Sequence, residues 1–177
     1  MIVIDDFLPE DDFSSLKQSL LSPNFNWNFN DTIASANSNP DNFQFVHNFF
    51  SITNPYLEKP LSKQSYILKP LLFKLQPHHI LRVKANLRPR TPSPVLSDWH
   101  TDLNLNQTTA IFYLNSNNGY TLFKDNTKVY SVQNRILIFD GHLQHCGASC
   151  TDQKARVLIN INYLPGLVDN IPFIPSS

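Results

Sequence analysis

The sequence predicts a mostly β fold, a jelly roll or cupin-like barrel with helices packed outside it. Three observations carry this. The apolar residues of the first third recur at helical spacing. From about residue 80 onward the period changes to the alternation of extended chain. The breaks in that second part carry turn chemistry, in Asn115-Ser116-Asn117-Asn118-Gly119, Asp125-Asn126, Gln133-Asn134 and Asp140-Gly141.

The elements follow in order. Ile2-Val3-Ile4 is a short β-type run ending at Asp5-Asp6. Pro9 suits the first turn of a helix, and Phe13, Leu16, Leu20 and Leu21 give that helix one apolar face until Ser22-Pro23 stops it. Residues 24–50 hold Phe25, Trp27, Phe29, Phe43, Phe45, Phe49 and Phe50 without a single period. They read as irregular or short-strand cover over a β core. Asn54-Pro55 and Lys59-Pro60 punctuate the next region, and a helix over 61–75 is bent or split by Pro70. Strands are predicted at residues 80–87, 99–103, 108–114, 120–124, 127–132, 135–139, 143–147 and 155–163. Eight short strands after a helical third fit a jelly roll. The run from Arg88 to Pro94 holds three prolines, which makes it an extended loop outside the sheet and a candidate lid or substrate loop.

The chain has 177 residues and reads as one domain. Residues 1–79 form helical and irregular support, 80–163 the β core, and 164–177 a C-terminal tail. Fourteen basic and 14 acidic residues balance to zero net charge. That argues against a general electrostatic grip on nucleic acid or an anionic membrane. No signal peptide or membrane-spanning run is visible, and the only cysteines are Cys146 and Cys150. The expectation is a soluble cytoplasmic protein with free thiols.

The chemistry concentrates in Trp99-His100-Thr101-Asp102. On an extended strand His100 and Asp102 point to one face, so an imidazole and a carboxylate converge. A second imidazole completes two histidines and one carboxylate, the ligand pattern of non-haem iron(II) oxygenases. His142 and His145 compete for that place. His145 is preferred because it opens the next extended run, whereas His142 sits in the turn. On the strand that follows, Arg156 alternates with Leu158, Asn160 and Asn162, opposite Val157, Ile159, Ile161 and Tyr163. An arginine on a core-like strand is costly unless paired, and its fork suits a carboxylate. Asn86, in phase with Arg82 and Lys84, together with Tyr113 and Asn160, are further candidates for co-substrate contact. A closed zinc site on His142, His145, Cys146 and Cys150 is the competing metal reading, and its spacing is against it.

These stretches, together with Ala110-Ile111-Phe112-Tyr113-Leu114-Asn115, Asn118-Gly119-Tyr120-Thr121-Leu122-Phe123, Asn134-Arg135-Ile136-Leu137-Ile138-Phe139-Asp140 and Arg156-Val157-Leu158-Ile159-Asn160-Ile161, carry a resemblance. The chain resembles the iron(II)- and 2-oxoglutarate-dependent oxygenases. Within them it is most similar to the small prolyl-hydroxylase-like enzymes of bacteria and phages. The resemblance spans about residues 80–163. It implies a double-stranded β-helix, with iron on His100, Asp102 and His145, and Arg156 on the distal carboxylate of 2-oxoglutarate. It also implies O2 as oxidant, ascorbate in support, and release of succinate and carbon dioxide. The hydroxylated group is an aliphatic C–H of a peptidyl residue, a free amino acid or another small molecule. A nucleobase-modifying oxygenase of the same family, or a cupin-like binding domain without turnover, is the alternative. Many members carry two glycines where this chain has Asn118-Gly119-Tyr120.

Overall fold

The structure, a computed structural model, describes residues 1–33, 42–52, 61–103 and 105–165. The described strands form two antiparallel sheets. The larger has seven strands in the order β1-β8-β5-β10-β4-β3-β2: β1 (Ile2–Ile4), β8 (Arg135–Asp140), β5 (Thr108–Tyr113), β10 (Ala155–Leu164), β4 (His79–Pro89), β3 (Gln44–Ser51) and β2 (Asn28–Asn30). The smaller has three, β7 (Lys128–Tyr130), β6 (Tyr120–Phe123) and β9 (His145–Gly147). Helix α1 (Glu10–Leu20) is followed later by a 3-10 turn, Lys63–Leu68, that runs into α2 (Lys69–Leu75).

Strand alternation separates two cores. Ala110 and Phe112 of β5 join Val157, Ile159 and Ile161 of β10, and Val83 and Ala85 of β4, in a cluster with Phe13, Leu16 and Leu20 of α1. The opposite faces of β5, β8 and β10 give Ile111, Tyr113, Leu137 and Leu158, which meet Phe123 and Val129 of the smaller sheet. The mostly β architecture with helices packed on the outer face of the large sheet is the predicted one. Pro70 falls in the first turn of α2, where its missing N–H costs nothing, and the predicted helix is split there. Pro9 is the residue just before α1, one step ahead of the first turn.

Four sequence expectations are corrected. Residues 99–103 form no strand, and only His100 makes an isolated bridge, with His145. The run Gln44–Ser51, read as irregular or short-strand cover, is a full strand of the large sheet paired with β4. A register shift between Asn48 and Phe50 breaks its alternation, which is why no clean period was visible. Arg88 and Pro89 belong to β4, so the proline loop begins after them. Strand β10 runs on to Leu164, and the tail from 166 lies outside the described residues, as do Asn54-Pro55 and Lys59-Pro60.

Candidate functional site

His100 and His145 face each other as a hydrogen-bonded antiparallel pair. Each backbone N–H donates to the other's carbonyl at 3.0 Å. Such a pair projects both side chains to one side, and the imidazole centroids lie 4.7 Å apart. The Nδ1 of His100 lies 2.8 Å from the carbonyl of Asp98, and the Nδ1 of His145 lies 3.1 Å from that of Leu143. A carbonyl can only accept, so each Nδ1 carries a proton, and the neutral ring then presents its lone pair at Nε2. Burial pushes the His145 imidazole down against the pull of Asp102, which keeps it neutral near pH 7.

Asp102 lies past the bridge, in a bend, and is placed by the large sheet. Arg82 of β4 donates to Oδ1 at 2.8 Å. Asn160 and Asn162 of β10 donate to Oδ2 at 2.9 and 3.1 Å. Burial works to raise this carboxyl, but Arg82, His145 and the two amides outweigh it and hold it at about 2. Oδ2 lies 3.9 Å from Nε2 of His145. One donor atom from each of His100, Asp102 and His145 falls within 4.8 Å of the others, and no other such group occurs among the described residues. Two imidazoles and one carboxylate fit iron(II) with positions left open. His142 is exposed at the turn, and Cys146 and Cys150 are free and buried, so the zinc reading finds no cluster.

The three side chains stand in a cavity of about 300 Å³ between the sheets. Arg156 enters the same cavity from β10. Its Nε donates to Ser131 at 2.8 Å and its Nη2 to Thr121 at 3.0 Å. Among the described residues no acid pairs with it, so the structural ion pair that would explain a buried arginine is missing. Burial lowers its pKa from the ordinary value, offset in part by Tyr113. Tyr113 does not line the cavity. It lies beneath Arg156, with ring centroid and guanidinium 5.5 Å apart, and its hydroxyl is 2.8 Å from that of Thr121. Asn86 and Asn160 both line the cavity, and each has a buried Oδ1 without a partner.

Sequence reasoning did not single out Arg82, Arg88, Thr121 or Ser131. A signal existed for the first two: Arg82, Lys84, Asn86 and Arg88 alternate along β4, so one face of a central strand is polar throughout. Thr121 and Ser131 carried none, because hydroxyls on short strands are ordinary.

No family model matches the sequence, and no curated protein does. The similarity lies in solved structures. A prolyl hydroxylase from Trichoplax adhaerens, in complex with a hypoxia inducible factor oxygen degradation domain peptide, superposes with TM-score 0.63 at 14% identity, covering 92% of this chain and 82% of that one. The viral collagen prolyl hydroxylase of Paramecium Bursaria Chlorella virus-1, as its 2-oxoglutarate complex, gives 0.57 at 13%, covering 93% and 96%. HygX from Streptomyces hygroscopicus, with nickel and 2-oxoglutarate bound, gives 0.59 at 11%, covering 94% and 83%. The fold is therefore the double-stranded β-helix that these 2-oxoglutarate- and iron(II)-dependent oxygenases share.

Proposed function

We propose that this protein is an iron(II)- and 2-oxoglutarate-dependent oxygenase, built as one domain over residues 1–177. It hydroxylates an aliphatic C–H of a peptidyl residue, free amino acid or other small molecule. Bound iron and 2-oxoglutarate supply the oxidising chemistry: with O2 the keto acid loses carbon dioxide to become succinate, and one oxygen atom enters the substrate. His100, Asp102 and His145 hold the metal through two Nε2 lone pairs and a carboxylate oxygen. The carbonyls of Asp98 and Leu143 keep both imidazoles in the tautomer this needs. Arg156, steadied by Ser131 and Thr121, binds the distal carboxylate of 2-oxoglutarate. Tyr113 positions that arginine from beneath, and Asn160 orients Asp102. Asn86 lines the wall where the co-substrate lies.

The observation that carries this reading is the pairing of the triad, in one cavity, with a buried arginine that has no acid of its own among the described residues. The test is the visible charge-transfer band that a keto acid forms with iron(II). Oxygen-free protein is loaded with iron(II) and titrated with 2-oxoglutarate. The band is expected in wild type and in His142→Ala, and absent in His145→Ala. Iron binding without a band would remove 2-oxoglutarate from the proposal, and failure to bind iron would remove the reaction.

A further inference from the structure

The cavity wall carries more positive charge than the proposed reaction uses. Among the described residues Arg82, Lys84, Arg88 and Arg156 line it, against the single acid Asp102. Three of these cations are engaged. Arg82 is bound to Asp102 and Asn162, Arg88 donates to the Gly147 carbonyl and Asn42, and Arg156 donates to Ser131 and Thr121. Lys84 makes no hydrogen bond or ion pair among the described residues. Burial and the neighbouring Arg82 lower its pKa to about 8, with Asp102 pulling the other way. A half-buried ammonium with no hydrogen-bond or ion-pair partner among the described residues is a ready site for the anion of a ligand.

The distal carboxylate of the co-substrate is badly placed to do so. In the sheet register Arg88 lies across from Arg156, while Lys84 lies across from Asn160, four residues further along β10. Four residues of strand put their Cα atoms about 13 Å apart, so of a diacid held at Arg156 only the metal-bound end lies on the Lys84 side. Lys84 instead sits where the metal cavity meets a second cavity, and Lys84, Arg82 and Asn30 line both. Asn48 is its partner across β3 and lines the second cavity. The unpartnered Oδ1 atoms of Asn86 and Asn160 lie on the metal side and accept only from N–H or O–H donors.

We infer that Lys84, with Asn48 beside it, is the docking point for a carboxylate of the substrate, and that the substrate is a small acid with N–H donors, in chemical class a free amino acid. This rests on the oxygenase reading and narrows it. A peptidyl residue inside a chain offers no free α-carboxylate, and only Asp and Glu side chains would bring the charge.

The test uses full-length protein loaded with iron(II) and 2-oxoglutarate without oxygen. The probes are the protein amino acids as free acids and as the matching carboxamides. Binding is read by perturbation of the visible band and by calorimetry. At least one free acid is expected to bind saturably, about tenfold or more tighter than its amide. Lys84→Met is expected to bring that ratio to about one, and Lys84→Arg to restore most of it. Lys84→Gln replaces Lys84→Met if the latter does not fold. The inference is overturned if the amide binds as well as the acid, if the neutral variants keep the preference, or if no free acid binds. The band before any amino acid is added reports on the oxygenase reading alone. If it is missing, that reading fails, and acid against amide is then compared by calorimetry on the metal-free protein.

Discussion

Arg156 is fitted so closely that a neighbouring glycine is required. A Cβ at Gly119 would stand 2.7 Å from Cδ of Arg156, 2.8 Å from Oδ1 of Asn117 and 3.0 Å from the carbonyl of Ala148. The backbone oxygen cannot yield, so the arginine must. Gly119→Ala is expected to weaken 2-oxoglutarate binding by about tenfold, with iron affinity unchanged, in a titration of the visible band. Arg156→Ala is expected to cost about a hundredfold or more in the same titration. Unchanged 2-oxoglutarate affinity in both would move the anchor elsewhere. Asp102 needs a different variant. Alanine there removes a ligand and also leaves Arg82 without its carboxylate, so stability and metal binding fall together. Asp102→Asn keeps an Oδ1 acceptor for Arg82 but loses the charge and turns an NH2 toward the donors of Asn160 and Asn162, so it is expected to abolish iron binding with a smaller loss of Tm than alanine. A stable Asp102→Asn that still binds iron would contradict the triad. The alternation of Arg156 with Asn160 and Asn162 was legible in the sequence, because one strand sets it. The hold of Arg82 on Asp102 was not, since it joins residues of different elements across the cavity.

At the scale of elements, what could be read depended on whether a strand alternates cleanly. β5, β8 and β10 do, with helix-side and cavity-side residues in strict turn, and they stand close to where the sequence put them. β3 does not, because of its register shift. The stretch 99–103 fails differently: it is extended at His100 and then bends, so convergence of His100 and Asp102 comes from the bridge to His145 and from the donors that hold Asp102. A side chain that no periodicity reveals helps to fasten the N-terminal elements. Asn134, at φ 59°, accepts from the Leu8 N–H and donates to the Leu8 carbonyl, each at 2.8 Å. Asn134→Ala leaves both backbone groups unpaired and puts a Cβ residue without a polar side chain in the left-handed region. The expected loss is about 3 kcal/mol, or roughly 6–12 °C in Tm for a chain of this length. Asn134→Gly relieves the backbone conformation alone and should lose less. Equal melting of all three proteins would mean that the clamp contributes nothing.

For the molecule as a whole, stability and chemistry sit on opposite faces of one sheet. The helix side is apolar, with Phe112, Ile159 and Leu20 fully buried. The cavity side gathers cations of which only one has an acid partner among the described residues. Such an arrangement lowers the stability of the empty protein, and the deficit depends on pH. Lys84 has a folded pKa of about 8 against an ordinary value of 10.5. Between those values the unfolded chain binds more protons at this position than the folded one, so stability rises with pH across the window and is flat below it. Removing the charge removes the slope. Lys84→Met is therefore expected to exceed wild type in denaturant stability by more near pH 7 than near pH 10, the gap narrowing as the wild-type ammonium loses its proton. A gap that stays constant from about pH 7 to 10 would mean that Lys84 is solvated in the folded state. In that case Lys84 would not be the buried, uncompensated charge that a substrate carboxylate is proposed to meet.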